Sequence, residues 1–300
     1  MKFEIPACLH LHWPDGFVFH PSLLKSTFRA VLLLSIVTVY RLLGTRIVWT
    51  IHNLRSHENY HQNLEDWFWK HFFSRLDGWI SLSSASASQA AAIPILGKLP
   101  NTVIVHGFHP RPEDCHDQQA KEERTGKSLI CFGKIRRYKE IPHLLEVYSQ
   151  LDPPRCELTV AGQCDDPELS RIVEGLAATL PEVRLIQRYV SKQELDGLLN
   201  SSSGVVIPYA GSLNSGVVFH ALSYGKRVLA PATPTFLELR DDFGSNWLTL
   251  FEPPLTKEAL EEFAIQLDTT PATCVDPPDK YTWPVIAAEH DKFLREILND

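Results

Sequence analysis

The chain has 300 residues, 44% hydrophobic and 22% charged, and its 29 Lys and Arg against 36 Asp and Glu leave a formal net charge of −7. Such a balance belongs to a folded globular chain with room for two modest domains, and it excludes disorder, collagen and coiled coil. No run of Lys and Arg supplies the clustered positive surface that nucleic acid, or a membrane bound by charge alone, requires.

Six cysteines (Cys8, Cys115, Cys131, Cys156, Cys164 and Cys274) are scattered without a CxxC pair. Neither a disulfide framework nor a zinc site is indicated, and a reducing, cytoplasmic compartment is expected. The opening MKFEIPACLHLHWPDG places a proline and histidines where a signal peptide carries an unbroken apolar stretch.

Short β-rich apolar runs alternate with longer helical stretches, which predicts βαβ units and parallel sheets. In the first part strands are expected at 7–13, 45–52, 77–83 and 101–107, with helices at 21–43, 57–75 and 84–92 between them. The apolar stretch 30–44 offers only about ten uninterrupted residues before Arg41, against the roughly 20 of a spanning helix. It reads as a core helix, with an interfacial helix flanked by Lys25, Arg29, Arg41 and Arg46 as the alternative. Segment 109–127 is polar, charged and without apolar periodicity, hence an exposed connection and the domain boundary. The pattern then restarts, with strands at 128–134, 156–162, 183–190, 204–210 and 226–232 and helices at 143–151, 167–180, 192–200 and 217–224. A Pro-rich loop at 268–284 precedes a last helix. The expected organisation is a domain over 1–115, a second over 126–280 and a closing helix over 281–300.

Ligands of open parallel sheets bind beyond the carboxyl ends of the strands, so residues predicted there carry the functional reading. Strand SLICFGK runs directly into Lys134, Arg136, Arg137 and Lys139, a cluster that suits a diphosphate, although a solvated basic turn has the same composition. Asn214, Ser215 and Gly216 precede an apolar helix, where free N–H groups and the positive dipole end favour phosphate. Histidines fall at strand ends of the first part: His10, His12, His52, His106 and His109. Imidazole donates, accepts and titrates near neutrality, which fits sugar hydroxyl recognition or acid/base work. No HExxH or His/Cys spacing supports a metal site.

As an ordered set these segments resemble the GT-B nucleotide-sugar glycosyltransferases of the family 4 type, in particular bacterial exopolysaccharide enzymes. The resemblance runs through LHLHWPDG, RIVWTIHNL, VIVHGFH, FGKIRRYKEIPHLLEVYSQL, ELTVAGQ, VRLIQRYVSKQELDGLLNSSSGVVIPY, SLNSGVVFHALSYGKRVLAP and YTWPVIAAEH. It implies two Rossmann-like parallel-sheet domains facing a cleft. It further implies transfer of a sugar from a nucleoside-diphosphate donor to a saccharide or lipid-linked acceptor in surface polysaccharide synthesis, retaining and without metal or other cofactor. Lys134 or Arg136, with Lys139, would contact the donor diphosphate, and Ser215 and Gly216 its distal phosphate. Tyr189 and Val190 would lie beside the base, with His220 near the ribose. His52 and His106 would face the reacting sugar, and His12 and Asn53 the acceptor. The family's two glutamates eight residues apart correspond here to Ser212 and His220, and its usual first strand, Gly-rich loop and helix do not precede LHLHW, so a shortened acceptor domain is expected. The expected location is cytoplasmic, peripheral on the inner membrane face through 21–46. The alternative is a non-catalytic nucleotide-sugar-binding protein or partner subunit.

Overall fold

The computed structural model describes residues 5–56, 60–109, 127–152, 156–211, 216–269 and 275–299, apart from the side chains of residues 268 and 269. It divides into two compact units, one of residues 1–107 with 279–300 and one of residues 108–278. The division falls a few residues before the polar connection, and the last helix belongs to the first unit.

In the first unit, strands β1 (Cys8–Leu11), β2 (Arg46–Ile51), β3 (Gly78–Ser81) and β4 (Asn101–Val103) form a parallel sheet in chain order. Right-handed crossovers that all progress in one direction place their helices on one face. Those helices are α2 (Leu23–Leu42), α3 (Gln62–Phe73) and α4 (Ser84–Ala91), with the short α1 (Pro14–Val18) ahead of α2. Alternation along β2 sends Ile47, Trp49 and Ile51 into this face, against Ala30, Leu34 and Val37 of α2 and Phe68, Trp69, Phe72 and Phe73 of α3. Val48 and Ile80 point the other way and are covered by Ile286, Phe293 and Ile297 of the final helix, α11 (Trp283–Asn299). Gly78 permits that seat, because a Cβ there would lie 2.6 Å from Ile297 Cδ1 and 3.1 Å from the Phe293 ring. Asp77 ties the strand starts together by accepting the Ile47 N–H at 2.8 Å and pairing with Arg41 and Arg46.

The second unit holds β5 (Ser128–Phe132), β6 (Glu157–Ala161), β7 (Val183–Ile186), β8 (Gly204–Val206), β9 (Arg227–Pro231) and β10 (Leu248–Phe251), all parallel in the order β10-β9-β8-β5-β6-β7. The chain builds β5, β6 and β7 outward, then returns to the other side of β5 for β8, β9 and β10. The topological switch point therefore lies between β5 and β8. Helices α5 (Ile141–Ser149), α6 (Pro167–Ala178), α7 (Lys192–Ser201), α8 (Gly216–Ser223), α9 (Pro234–Phe243) and α10 (Lys257–Thr269) complete the unit.

Helix starts follow local chemistry. Asp166 caps α6 by accepting the N–H groups of Glu168 and Leu169, with Pro167 at the first helical position. Ser191 accepts the Glu194 N–H at 3.2 Å and begins α7, and Thr233 with Pro234 begins α9. At the other end of α7 the buried Lys226 ammonium donates to the carbonyls of Asn200 and Ser202, satisfying orphan acceptors.

The expected α/β class with two parallel-sheet domains is what the chain adopts. The expected helix at 57–75 is observed as Gln62–Phe73, and strands are shorter than read, as with Val183–Ile186 for 183–190. Helices α1, α9 and α10 and strand β10 are additions to the elements read from sequence. The connection at 109–127 lies outside the described residues except at its ends.

Candidate functional site

Each unit gathers polar groups at the carboxyl ends of its strands. In the second unit, β5 leads through Gly133 into the basic turn. Gly133 has φ +98°, a conformation that favours glycine, and a Cβ there would sit 2.9 Å from Lys139 Nζ. Gly162, just past β6, brings its backbone so close that a Cβ would lie 2.1 Å from the Gly133 carbonyl oxygen. Beyond these glycines β5 and β6 touch once more, at Ile135 and Cys164. Neither glycine position leaves room for a side chain without displacing its neighbour.

The four cations of this turn take three different environments. Arg137 is exposed and bound to Asp166 at 2.7 Å and to Glu168, so it closes the start of α6. Lys134 lies 3.6 Å from Asp165, both exposed, and Arg136 is half-buried. Lys139 is 7% exposed, and its ammonium stands 5.4 Å from the centre of the Tyr209 ring in the segment that follows β8. Tyr138 meets the same ring edge-on at 5.7 Å. No carboxylate among the described residues pairs with Lys139, and burial pulls its pKa below the usual lysine range. A buried ammonium at the switch point, facing an aromatic ring and lacking a counter-anion, is a place for an anionic ligand.

The other expected donor-side residues are spread around this point. Gly216 is the first residue of α8 and is exposed, whereas Ser215, with Ser212 and Asn214, lies outside the described residues. His220 of α8 is half-buried against Phe132, Tyr224 and His109, the two imidazole centres 4.9 Å apart. Burial first, then the neighbouring His109, lowers its pKa. Tyr189 is 72% exposed beyond β7, next to the half-buried Val190. Beside them Arg188 is held by a two-point contact with Glu194 at 2.8 and 2.7 Å.

In the first unit the strand ends carry imidazoles on the α11 face. His10 Nε2 lies 2.7 Å from Thr50 Oγ1, and His12 Nδ1 lies 3.1 Å from His52 Nε2. The His10 ring is 4.5 Å from that of His12 and 5.9 Å from that of His290 on α11. Burial pushes His10 and His52 down to about 4, with neighbouring imidazoles adding to the effect, and His12 is lowered by the same causes. These rings are therefore neutral near pH 7 and able to accept hydrogen bonds or a proton. Trp13, 60% exposed, stacks on His52 at 4.2 Å. His106 donates from Nδ1 to the Gly107 carbonyl at 2.8 Å, and Asn53 is half-buried in the turn after β2. Among the described residues no group of three His, Cys, Asp or Glu is placed to hold a metal ion.

The structure thus brings His12 and His52 together, and separately sets Lys139 at the switch point of the second unit. It does not pool Lys134 and Arg137 with Lys139, because acidic neighbours from the β6–α6 segment hold them. Tyr209, Tyr138, Trp13 and His290 were not singled out from the sequence. Tyr209 stands at the end of the β8 run and Trp13 directly follows LHLH, so strand-end position was the available signal.

Two parallel α/β units, the second with a cation at its switch point, define the GT-B architecture. Solved structures bear this out. The sucrose-phosphate synthase of Thermosynechococcus elongatus aligns over 98% of this chain and 74% of its own at TM-score 0.69 and 17% identity. Anabaena HepE in complex with UDP aligns over 91% and 77% at TM-score 0.64 and 18% identity. No protein-family model matches the chain. A curated relative from Xanthomonas campestris pv. campestris, the GDP-mannose:glycolipid 4-beta-D-mannosyltransferase, is 28% identical over 298 residues, 97% of this chain and 80% of that protein. The chain is a glycosyltransferase of the GT-B type.

Proposed function

We propose that the chain transfers a hexose from a nucleoside-diphosphate sugar, with GDP-mannose the first candidate, to a saccharide carried on a lipid, in the synthesis of a surface polysaccharide. The observation that supports this most directly is Lys139, a buried ammonium without a counter-anion among the described residues, at the switch point of the donor-side unit. A diphosphate supplies the missing charge, and the same lysine stabilises the negative charge that develops on the departing nucleoside diphosphate. Arg136 stands three residues before it in the same turn, Lys134 would have to leave Asp165 to join them, and Ser215 and Gly216 are assigned to the distal phosphate. Tyr189, Val190 and His220 are assigned to the base and ribose. The guanine base and the mannose are taken from the name of the curated relative.

His12, His52, Asn53 and His106 form the acceptor side. Retention without metal or other cofactor is the outcome implied by the resemblance to family 4. Inversion is the second reading, because the relative is named for a β-linked product and GDP-mannose holds its sugar in α linkage. An inverting transfer needs a base for the acceptor hydroxyl, and the His12–His52 pair offers a neutral imidazole. The lipid-linked acceptor gives the cytoplasmic chain its peripheral place at the inner membrane face.

The test is a nucleotide panel followed by product analysis. GDP at about 100 times its dissociation constant should stabilise the chain by roughly 2.7 kcal/mol, while UDP and ADP should not. Absence of a shift with every nucleotide would overturn the reading. With a transferred sugar in hand, the one-bond C–H coupling of its anomeric carbon separates retention from inversion.

A further inference from the structure

Helix α2 has two apolar sides. Its inner stripe, Ser26, Ala30, Leu34 and Val37, recurs every three or four residues and is buried in the core of the first unit. On the opposite side Leu24, Phe28, Leu32, Val39 and Leu42 recur at helical spacing and are all exposed, Leu24 at 84%, Phe28 at 69% and Leu42 at 81%. The outward face of a helix packed on a soluble unit normally carries charge, and a helix apolar all round normally has cover on every side. Here, among the described residues, nothing covers one side of a helix 20 residues long.

Length and composition would let this helix cross a bilayer. Its packing argues otherwise, because Ala30, Leu34 and Val37 close the core against β2 and α3, and a spanning helix would have to abandon them. A helix lying in the plane of a bilayer keeps its inner stripe in the core and sinks its outer stripe to the depth of the headgroups and first acyl carbons. The charges fit that placement. Helix α2 has no acidic residue, and its cations Lys25 and Arg29 stand near the end where α1 crosses. Arg29 donates to the Phe17 carbonyl and lies 5.9 Å from the Phe17 ring, so the exposed Phe17 adjoins the stripe. Arg41 and Arg46, at the far end, share the single acid Asp77. The helix itself thus carries no carboxylate and three cations, of which Lys25 and Arg29 lie at the end next to α1 and Arg41 pairs with Asp77.

We infer that the outer face of α2, extended by Phe17 of α1, is a docking surface for a bilayer containing anionic lipid, with Leu24, Phe28, Leu32, Val39 and Leu42 inserted and Lys25 and Arg29 at the phosphates. The inference deepens the proposed function, since Trp13 begins at the same short helix α1 and stacks on His52.

The experiment is flotation of the full chain with phosphatidylcholine vesicles with and without phosphatidylglycerol, alongside Leu24→Gln/Phe28→Gln/Leu42→Gln and Lys25→Glu/Arg29→Glu. The wild type should float with the anionic vesicles, and each variant should bind them about tenfold or more weakly. Circular dichroism and the GDP-induced thermal shift should be unchanged, because Leu24, Lys25, Phe28 and Leu42 are exposed, Arg29 is only half-buried, and all five lie outside the donor unit. Equal flotation of the wild type on purely neutral vesicles would overturn the anionic part. Failure of the wild type to float, undiminished flotation of the apolar variant, or a solution dimer that this variant dissolves would overturn the docking surface. Flotation without GDP binding would leave the docking surface standing and overturn the donor reading instead.

Discussion

The Lys139 ammonium and the Tyr209 ring face each other at 5.4 Å across the switch point of the second unit, one from the turn after β5 and the other from the segment after β8. Neither neighbouring strand supplies a carboxylate, so the ring is the counterpart of the charge until an anion arrives. Burial of an unpaired ammonium costs folding free energy that a ligand anion recovers.

Lys139→Met separates these two effects. Without nucleotide the variant should melt at the wild-type temperature or above it, because a buried charge is replaced by an apolar chain of similar length. Affinity for GDP should drop by roughly 1.5–3 kcal/mol, the range for hydrogen bonds to charged groups. Calorimetry with GDP and a thermal melt on the same preparation check both. Unchanged affinity would remove Lys139 from the donor site.

Glu140, next to that lysine, has φ +52° and is the only non-glycine residue in the left-handed region among those described. An L side chain there costs roughly 1–2 kcal/mol. Glu140→Gly should therefore raise stability, by about 0.5–1 kcal/mol once the greater freedom of glycine in the unfolded chain is subtracted. Gly133→Ala should do the opposite, losing roughly 1–2 kcal/mol from its positive φ and weakening GDP binding as its Cβ presses on Lys139 Nζ. Chemical denaturation of the two variants gives both signs in one experiment.

Much of this architecture was legible in the residues. Alternating β-rich and helical runs located nine of the strands, and the ordered motifs pointed to two parallel sheets. Helix α9 is legible too, through the Thr233–Pro234 start that caps it. The basic turn illustrates the limit. Sequence presents Lys134, Arg136, Arg137 and Lys139 as one cluster, whereas folding brings Asp165, Asp166 and Glu168 from beyond β6 onto two of them. Which cation stays unpaired is decided by partners distant in the chain. The stack of Trp13 on His52 and the position of His290 against His10 are non-local in the same way.

The final helix offers a test of where it belongs. Read from sequence it closes the chain after the second domain, yet Phe293 and Ile297 pack on Gly78 and Ile80 of the first unit. Phe293, 4% exposed, should cost roughly 3–5 kcal/mol when replaced by alanine. Hydrogen exchange should show the loss in the amides of β2 and β3, with those of β5 and β6 unaffected. Uniform loss of protection in both units, or none in either, would contradict the assignment of α11.

The histidine cluster makes stability depend on pH in a defined direction. His10 and His52 are pushed to about 4 in the folded chain, against about 6.5 when unfolded. Between those values the unfolded chain binds more protons, so stability rises with pH through that window and is fully present only above about 6.5. The melting temperature should accordingly fall by several degrees between neutrality and about pH 4.5, before carboxylates such as Asp166 and Glu194, which are held below their usual range, begin to contribute. His10→Asn removes one of the buried imidazoles and relieves His52 of a like-charged neighbour, and it should flatten this slope while leaving the behaviour above pH 7 little changed. A variant with the wild-type slope would mean that His10 keeps an ordinary pKa in the folded chain and that the cluster is open to water.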